Sequence, residues 1–427
     1  MTQPKAAQDP IDAIVAVNRG RDPQLLVRKF EAMAADRFAF LRGSAGVAHA
    51  ALNLEGLPPS PLGWVCGDLH LNNFGCFRGL NRLVYFDLND FDEAARLPLA
   101  VDLLRFLGSI LTAAPGFGLI REEAETVAAD ALGRYAEALA RGKAFWLEPE
   151  TARGPIGALL AQVSRRRRRD LMARRTELVR GRRTLLIDDV HCLLLPTTSE
   201  VRDQLAQALQ SLGRLYESPE FFQPHDFARR VAGMGSLGLP RYVALVRGRG
   251  DPDRNALIDF KLAAPSAASA ALPGFEQPAW GDEAQRVVTV QDICQAACPA
   301  YLTAMSINAR PFVVRELQPV EDRVALDRLA QQPKRLTDTF GNMAEVAAHA
   351  QLRGAGRIGA AGPDSMIEFG FELMAQPRPW IEAARDVDTR NAQAHRLFRA
   401  AWRQRDSRLI SLCRLPKERA APAARQK

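Results

Sequence analysis

The tightest constraint on this chain is the stretch at residues 65–102, VCGDLHLNNFGCFRGLNRLVYFDLNDFDEAARLPLAVD, which sets two oxygen-rich clusters around one apolar run. Asp68 and Asn73 lie five apart on a short loop that follows an apolar segment. Asp87, Asn89, Asp90, Asp92 and Glu93 follow the strand-like run at residues 83–86. Ordinary loops do not need so many ligating oxygens. Two such clusters at neighbouring strand ends can hold a hard cation such as Mg2+ and leave one carboxylate free to orient a nucleophile.

The totals allow an enzyme around that stretch. A length of 427 residues accommodates two or three compact units with a large core, and 47% hydrophobic with 25% charged residues is ordinary globular composition. The formal charge of +8 comes mostly from arginine and favours anionic partners without naming nucleic acid. Six cysteines without a C-x-x-C pair argue against a disulfide framework or a zinc site. Cys294 and Cys298 are expected on one helical face as buried free thiols. The N-terminus has no charged start followed by an apolar core, so no signal peptide is visible. The most apolar window, residues 97–120, carries Asp102 and Arg105, which argues against a membrane span and leaves the cytoplasm as the expected compartment. Oligomeric state is not readable.

The spacing of Asp68, Asn73 and the second acidic cluster resembles the catalytic core of aminoglycoside phosphotransferases and, more loosely, of protein kinases. The resemblance implies Asp68 as base or orienting residue, with His70 beside it fastening the loop by hydrogen bonding. It implies Asn73 as a Mg2+ ligand, with Asp90 preferred and Asp87 kept open as the second. Asp102, at the start of an apolar helix, would brace the catalytic loop. GDLHLNNFG with NDFDEA is also similar to an uncharacterised bacterial domain-of-unknown-function family, a likeness running over most of the chain from FAFLRGSA at Phe38.

Further along, Gly233, Gly235 and Gly238 form G-x-G-x-x-G. A dinucleotide-binding unit needs a helix to begin inside that motif, but a strand-like run follows (Tyr242, Ala244 and Val246 on one face), then a turn-rich hairpin and a strand with Lys261. Glycine loop, strand, hairpin and Lys strand resemble a kinase small lobe, whose loop amides cover phosphates and whose Lys contacts them. The same resemblance makes Glu283, on a helix over 282–298, the carboxylate to pair with Lys261, with Glu276 as the alternative. It makes PFVVREL, residues 311–317, the strand entering the hinge beside the adenine. These parts follow Asp68 where kinases have them first, so the expected fold is α+β, kinase-like, two-lobed and circularly permuted.

The rest of the chain reads as follows. Residues 1–22 are a flexible N-terminus; 23–225 form a mostly helical large lobe with the catalytic and metal-binding loops; 226–320 form a small antiparallel β lobe; 321–415 are helices returning to the large lobe; and 416–427 are a disordered tail. Two helices are expected over 23–54, broken at Arg42-Gly43, with His49 packed in the core. Further helices fall at 103–111, 121–140, 201–216, 337–352, 366–374 and 391–413, and residues 185–196 read as one strand with its loop. The most basic piece runs from Arg165 through Arg169 to Arg174, Arg175, Arg180, Arg182 and Arg183. With no aromatics interleaved to stack on bases, it reads as a solvated helix face beside acidic partners rather than a nucleic-acid surface, although an anionic substrate could be held there.

Three functions are weighed. The first is a phosphotransferase using ATP and Mg2+ on an unidentified acceptor. The second is a metal-dependent phosphoesterase, from the D-x-H of Asp68 and His70; it needs an H-x-H pair that the six histidines (49, 70, 191, 225, 349, 395) do not form. The third is a nucleotide-binding protein of the same fold without catalysis.

Overall fold

The oxygen-rich stretch folds as two antiparallel ribbons in the computed structural model, which describes residues 9–188, 193–319 and 321–414. Leu62–Val65 (β1) pairs with Ala95–Pro98 (β4), and Phe74–Arg78 (β2) pairs with Val84–Leu88 (β3). The Asp68 loop leaves β1 and the second acidic cluster enters β4, so this pairing fixes both clusters side by side. Phe74, Phe86 and Phe106 stack beneath them in the main core.

Below the loop runs the helix Ala100–Ala113, in which every residue is buried. One window, Ala100–Phe117, is long and apolar enough to cross a membrane, but 89% of it is buried inside the fold. Its few polar side chains, Asp102, Arg105, Ser109 and Thr112, are spaced three, four and three apart and so share one face. The helices Arg121–Ala140, Pro333–Gly354 and Pro363–Ala375 complete the core, small residues letting them approach closely: a Cβ on Gly370 would meet the backbone of Ala136 and Ala140.

Thr176–Val179 (β5) and Arg182–Leu185 (β6) form a separate hairpin. Leu194–Leu195 (β7), Pro224–Arg230 (β8), Arg241–Val246 (β9), Ala256–Leu262 (β10), Thr303–Ile307 (β11) and Arg310–Glu316 (β12) make a six-stranded antiparallel sheet in the order β11-β12-β10-β9-β8-β7. Ala244, Val246, Ile258, Phe260 and Val314 pack against Leu205, Leu209 and Leu212 of the helix Ser199–Leu215. The two-residue period of a strand sends their neighbours Arg241, Asp259, Lys261 and Arg315 to the opposite face, toward the Asp68 loop. The protein is thus a mixed α+β structure.

Several sequence expectations need correction. Residues 10–18 are helical (Pro10–Asn18), not flexible: Asp9 caps the first turn, and Ile11 and Ile14 pack with Phe398 and Leu409 near the other end of the chain. Arg408 of the helix Ser407–Leu412 lies 2.7 Å from Asp9 and 2.9 Å from Asp12, so the two ends of the described chain are in contact. Residues 23–54 hold three helices, because Asp36 and Ser44 each end one helix and begin the next. The helix expected over 282–298 stops at Cys294, leaving Cys294 buried and Cys298 exposed just before Pro299, where helical geometry is disfavoured. His191 and the tail at 416–427 lie outside the described residues.

Gly67 is where the two clusters meet most closely. Its φ is +80°, and a Cβ there would drive into the Glu93 carbonyl. Gly56 has the same φ with open space around it. Gly67→Ala is therefore expected to cost about 2–5 kcal/mol, strain plus overlap, and Gly56→Ala about 1–2 kcal/mol, strain alone. Urea unfolding of the two variants checks this; equal losses would remove the close approach as the cause.

Candidate active site

The polar stripe of the Ala100–Ala113 helix holds the Asp68 loop from below. Asp102 accepts the Cys66 amide at 2.8 Å and the Gly67 amide at 3.0 Å. One turn on, Arg105 donates from Nε (2.8 Å) and Nη2 (2.5 Å) to Oδ1 of Asp68 and from Nη2 to the Leu41 carbonyl. Ser109 Oγ accepts the Leu71 amide at 3.2 Å. Sequence reasoning missed Arg105 and Ser109, and the three-four-three spacing in an otherwise apolar helix was the available signal.

Asp68 keeps Oδ2 outside the Arg105 contact. Burial pushes its carboxyl up to about 6, against the pull of Arg105. His70 Nδ1 accepts the Asn72 amide at 3.1 Å, and its Nε2 lies 3.8 Å from Asp68 Oδ2. Burial, with Arg42 and Arg105 nearby, holds His70 well below the ordinary imidazole range, so it is neutral and fastens the loop.

Asn73 and Asp90 meet. Asn73 Nδ2 donates to the backbone carbonyls of Asp68 and Asp90, both at 3.2 Å, which fixes the amide and leaves its buried Oδ1 without a partner. Lys261 Nζ stands 3.1 Å from Asp90 Oδ1 and 2.5 Å from Asp92 Oδ2. Burial opposes ionisation of Asp90, but Lys261 and Arg315 outweigh it and hold its carboxyl below the usual range. Burial and the Asp90 charge push Asp92 up.

Asp87 is not part of this group. It is buried and does not border the cleft, with Oδ2 on Arg353 (2.6 Å) and on the Ala296 amide (2.9 Å) and Oδ1 on the Leu88 amide. The pairing of β2 with β3 sets Asp87 opposite Gly75 inside the ribbon, and Asp90 lies beyond its end. Glu283 is also absent: its carboxylate sits 2.6 Å from Arg286 Nε, one helical turn away, and the Lys261 ammonium finds Asp90 and Asp92 instead. Arg286 ties that helix to the site through the carbonyls of Asp92 and Ala94.

The sheet contributes a dense set of charges. Strand register puts Arg241 opposite Lys261 and Arg315 opposite Asp259. Two cations facing across a ladder repel, but Asp259 takes Arg241 (2.6 Å) and Arg230 (2.9 Å), and Lys261 turns to Asp90. Despite burial, these arginines keep the Asp259 carboxyl far below its ordinary range.

The glycine segment lies between β8 and β9, facing the Asp68 loop. Gly233 and Gly235 border the cleft. Gly238 does not; its φ of +92° and its close approach to Arg21 place it against the N-terminal helices, where its carbonyl accepts the Asp22 amide. Arg21 Nη1 and the buried Lys29 Nζ both donate to the Gly235 carbonyl, at 2.6 and 2.9 Å. A trans peptide then directs the Ser236 amide the other way. Sequence reasoning missed this clamp, since nothing local links residues 21–29 to residue 235.

Two cavities, of about 490 and 390 Å3, share Arg42, Asn72, Asp90, Gly233, Met234 and Arg323 and form one continuous cleft. The first reaches Gln318 and Pro319 after β12 and contains Lys261; the second contains Asp68, His70, Asn73 and Glu93. Burial pushes Glu93 up to about 7. Among the described residues no three His, Cys, Asp or Glu side chains converge on a metal position. Mg2+ bound with substrate phosphates takes only one or two protein oxygens, and the orphaned Asn73 Oδ1 beside the partly exposed Asp90 carboxylate fits that smaller demand.

No curated protein and no solved structure matches the chain. The profile of a family described as "Uncharacterized protein conserved in bacteria (DUF2252)" matches residues 21–401, which takes in the Asp68 loop, both acidic clusters, the glycine segment and Lys261. The chain belongs to that conserved bacterial family.

Proposed function

We propose that the protein is an ATP- and Mg2+-dependent phosphotransferase with a kinase-like, circularly permuted arrangement, acting on an acceptor hydroxyl. The observation that carries the reading is the meeting of Lys261, Asp90, Asn73 and Asp68 in one cleft beneath a glycine segment, although Lys261 follows Asp68 by 193 positions in the chain. The order of these parts, with the glycine segment and Lys261 after Asp68, is the basis for reading the arrangement as permuted.

In this reading the phosphates lie along Lys261, Arg241, Arg315 and Arg323, and the Gln318–Pro319 end of the cleft receives the base. Asn73 Oδ1 and the Asp90 carboxylate would hold Mg2+, which when bound neutralises charge on the phosphate oxygens. Asp68 uses Oδ2 to orient the acceptor hydroxyl and take its proton, while Arg105 fixes Oδ1. Glu93 and Arg42 border the acceptor side. A nucleotide-binding protein without transfer is the second reading. It is favoured by the engagement of Lys261 with Asp90 and Asp92 in place of a helix carboxylate.

Incubation with ATP labelled at the γ-phosphate, or separately at the α-phosphate, and a cell extract tests the proposal. Label from the γ-position is expected to reach an acceptor, about 10²–10⁴-fold more slowly with Asp68→Asn. Equal labelling by both proteins would remove Asp68 from its role, and α-label in the acceptor would replace phosphoryl with nucleotidyl transfer. Saturating Mg-ATP is expected to stabilise the wild type by about 2.7 kcal/mol at 100 times its dissociation constant, and Lys261→Ala much less. Stabilisation without any transfer would select the second reading.

Asp68 must be ionised to act, so the rate should rise with pH through about 6. Arg105 lowers the Asp68 carboxyl, and Arg105→Met should therefore move this acid limb to higher pH. Stability runs the opposite way. A carboxyl raised in the folded state binds its proton more tightly there than in the unfolded chain, so its contribution is present below the ordinary range near 4 and lost as pH rises through 6. Thermal melting from pH 4 to 7 should show a shallower decline in Asp68→Asn; an unchanged slope would sink the assignment.

A further inference from the structure

We propose that a third cavity, of about 400 Å3 and adjoining the Gln318–Pro319 end of the cleft, binds a small organic anion carrying several phosphate groups. None of Asp68, Asn73, Asp90 or Lys261 borders it, so the inference stands independently of the phosphotransferase reading. It lies where the helices Gly154–Arg165 and Arg168–Arg175 meet β2, the start of β10 and the β9–β10 hairpin. Cys76, Gln318, Pro319 and Asp322 border both it and the cleft.

The charge balance of the cavity is the first argument. Seven arginines line it against two carboxylates, Glu316 and Asp322. Asp322 is taken by a bidentate contact from Arg166, both arms at 2.5 Å. Glu316 is shared between Arg82 (2.9 Å) and Arg168 (3.1 Å). Four guanidinium groups then remain without a carboxylate among the described residues: Arg78, Arg167, Arg249 and Arg254. Arg78 is half-buried and donates only to the backbone carbonyls of Arg82, Val163 and Arg166. The other three are exposed at the rim with no side-chain partner. Burial and the surrounding arginines both make it harder for Arg78 to hold its proton. A concave wall lined by charges of one sign focuses its field and raises the local concentration of anions.

The chemistry of the ligand follows from the lining. Guanidinium groups present planar forks that fit phosphate oxygens two at a time, so four of them suit a ligand with more than one phosphate. Val163, Met172 and Leu257 give the cavity an apolar wall for an organic portion, and the volume suits a small molecule. The basic series at 165–169 is thereby divided. Arg166 and Arg168 are partly buried and anchor the fold through Asp322 and Glu316, and Arg167 is free to meet the ligand.

Calorimetric titration with inorganic tripolyphosphate tests the proposal in the wild type, in Arg167→Ala/Arg249→Ala and in Lys261→Ala. Arg167 and Arg249 are exposed and unpaired, so the double variant should melt at the wild-type temperature without ligand. Expected is binding that weakens as salt rises, loses tenfold or more in affinity in the double variant, and persists in Lys261→Ala. Equal affinity in the double variant and the wild type, or binding abolished by Lys261→Ala, would confine anion recognition to the cleft and overturn the proposal. So would tighter binding of a 12-nucleotide single strand than of tripolyphosphate, on the order of tenfold or more, since that marks a nucleic-acid surface.

Discussion

The geometry of the candidate site rests on one buried helix reaching upward with four polar side chains. Asp102, Arg105, Ser109 and Thr112 share a face of the Ala100–Ala113 helix, and three of them hold the backbone or the carboxylate of the Asp68 loop. The fourth, Thr112, bonds Asp388 at 2.8 Å and ties the same helix to Arg378–Arg403. Buried polar groups are tolerated when they are hydrogen-bonded, and here the Cys66, Gly67, Leu71 and Asn72 amides each have a side-chain acceptor. A loop held in this way has little freedom to move its carboxylate.

The sheet solves a different problem, that of collecting positive charge without tearing itself apart. Its inner face carries Arg230, Arg241, Lys261 and Arg315, with Asp259 in their midst. Breaking a buried pair by deleting one partner typically costs about 3–5 kcal/mol, so Asp259 is a structural requirement of the face that presents Lys261. The helix Glu283–Cys294 is coupled to this face through Arg286, whose hydrogen bonds reach the carbonyls of Asp92, Ala94 and Ala264. The glycine segment is held from its other side by Arg21, Asp22 and Lys29. Residues as far apart in the chain as Arg21 and Arg323 thus converge on the cleft.

Much of the local structure was legible because it depends on near neighbours. The helix over 121–140 and the strands on either side of the 247–255 hairpin follow from periodicity and turn chemistry, and they occur where expected. The glycine at 233 marks a left-handed backbone position, with φ of +86°. The errors came where a side chain had a choice of partners. Glu283 took the arginine one turn away, and Asp87 took Arg353, which is 266 residues distant in the chain. Gly238 looked like a third phosphate-facing glycine, but the N-terminal helix claims it. Residues 10–18 looked frayed because their packing partners, Phe398 and Leu409, are nearly the length of the chain away.

By itself the sequence determined the residue types available for chemistry: an Asp and an Asn five apart, a second acidic cluster after a strand, a glycine segment, and a Lys on a buried strand. Those follow from composition and from periods of 2 and 3.6, which are properties of the chain over a few residues. Only the tertiary structure decided that Asp90 and not Asp87 meets Asn73, that Lys261 reaches Asp90 across 171 positions, and that Arg105 holds Asp68. The reason is physical. Charged side chains pair by distance in space, and distance in space between remote segments is set by the packing of every element that lies between them.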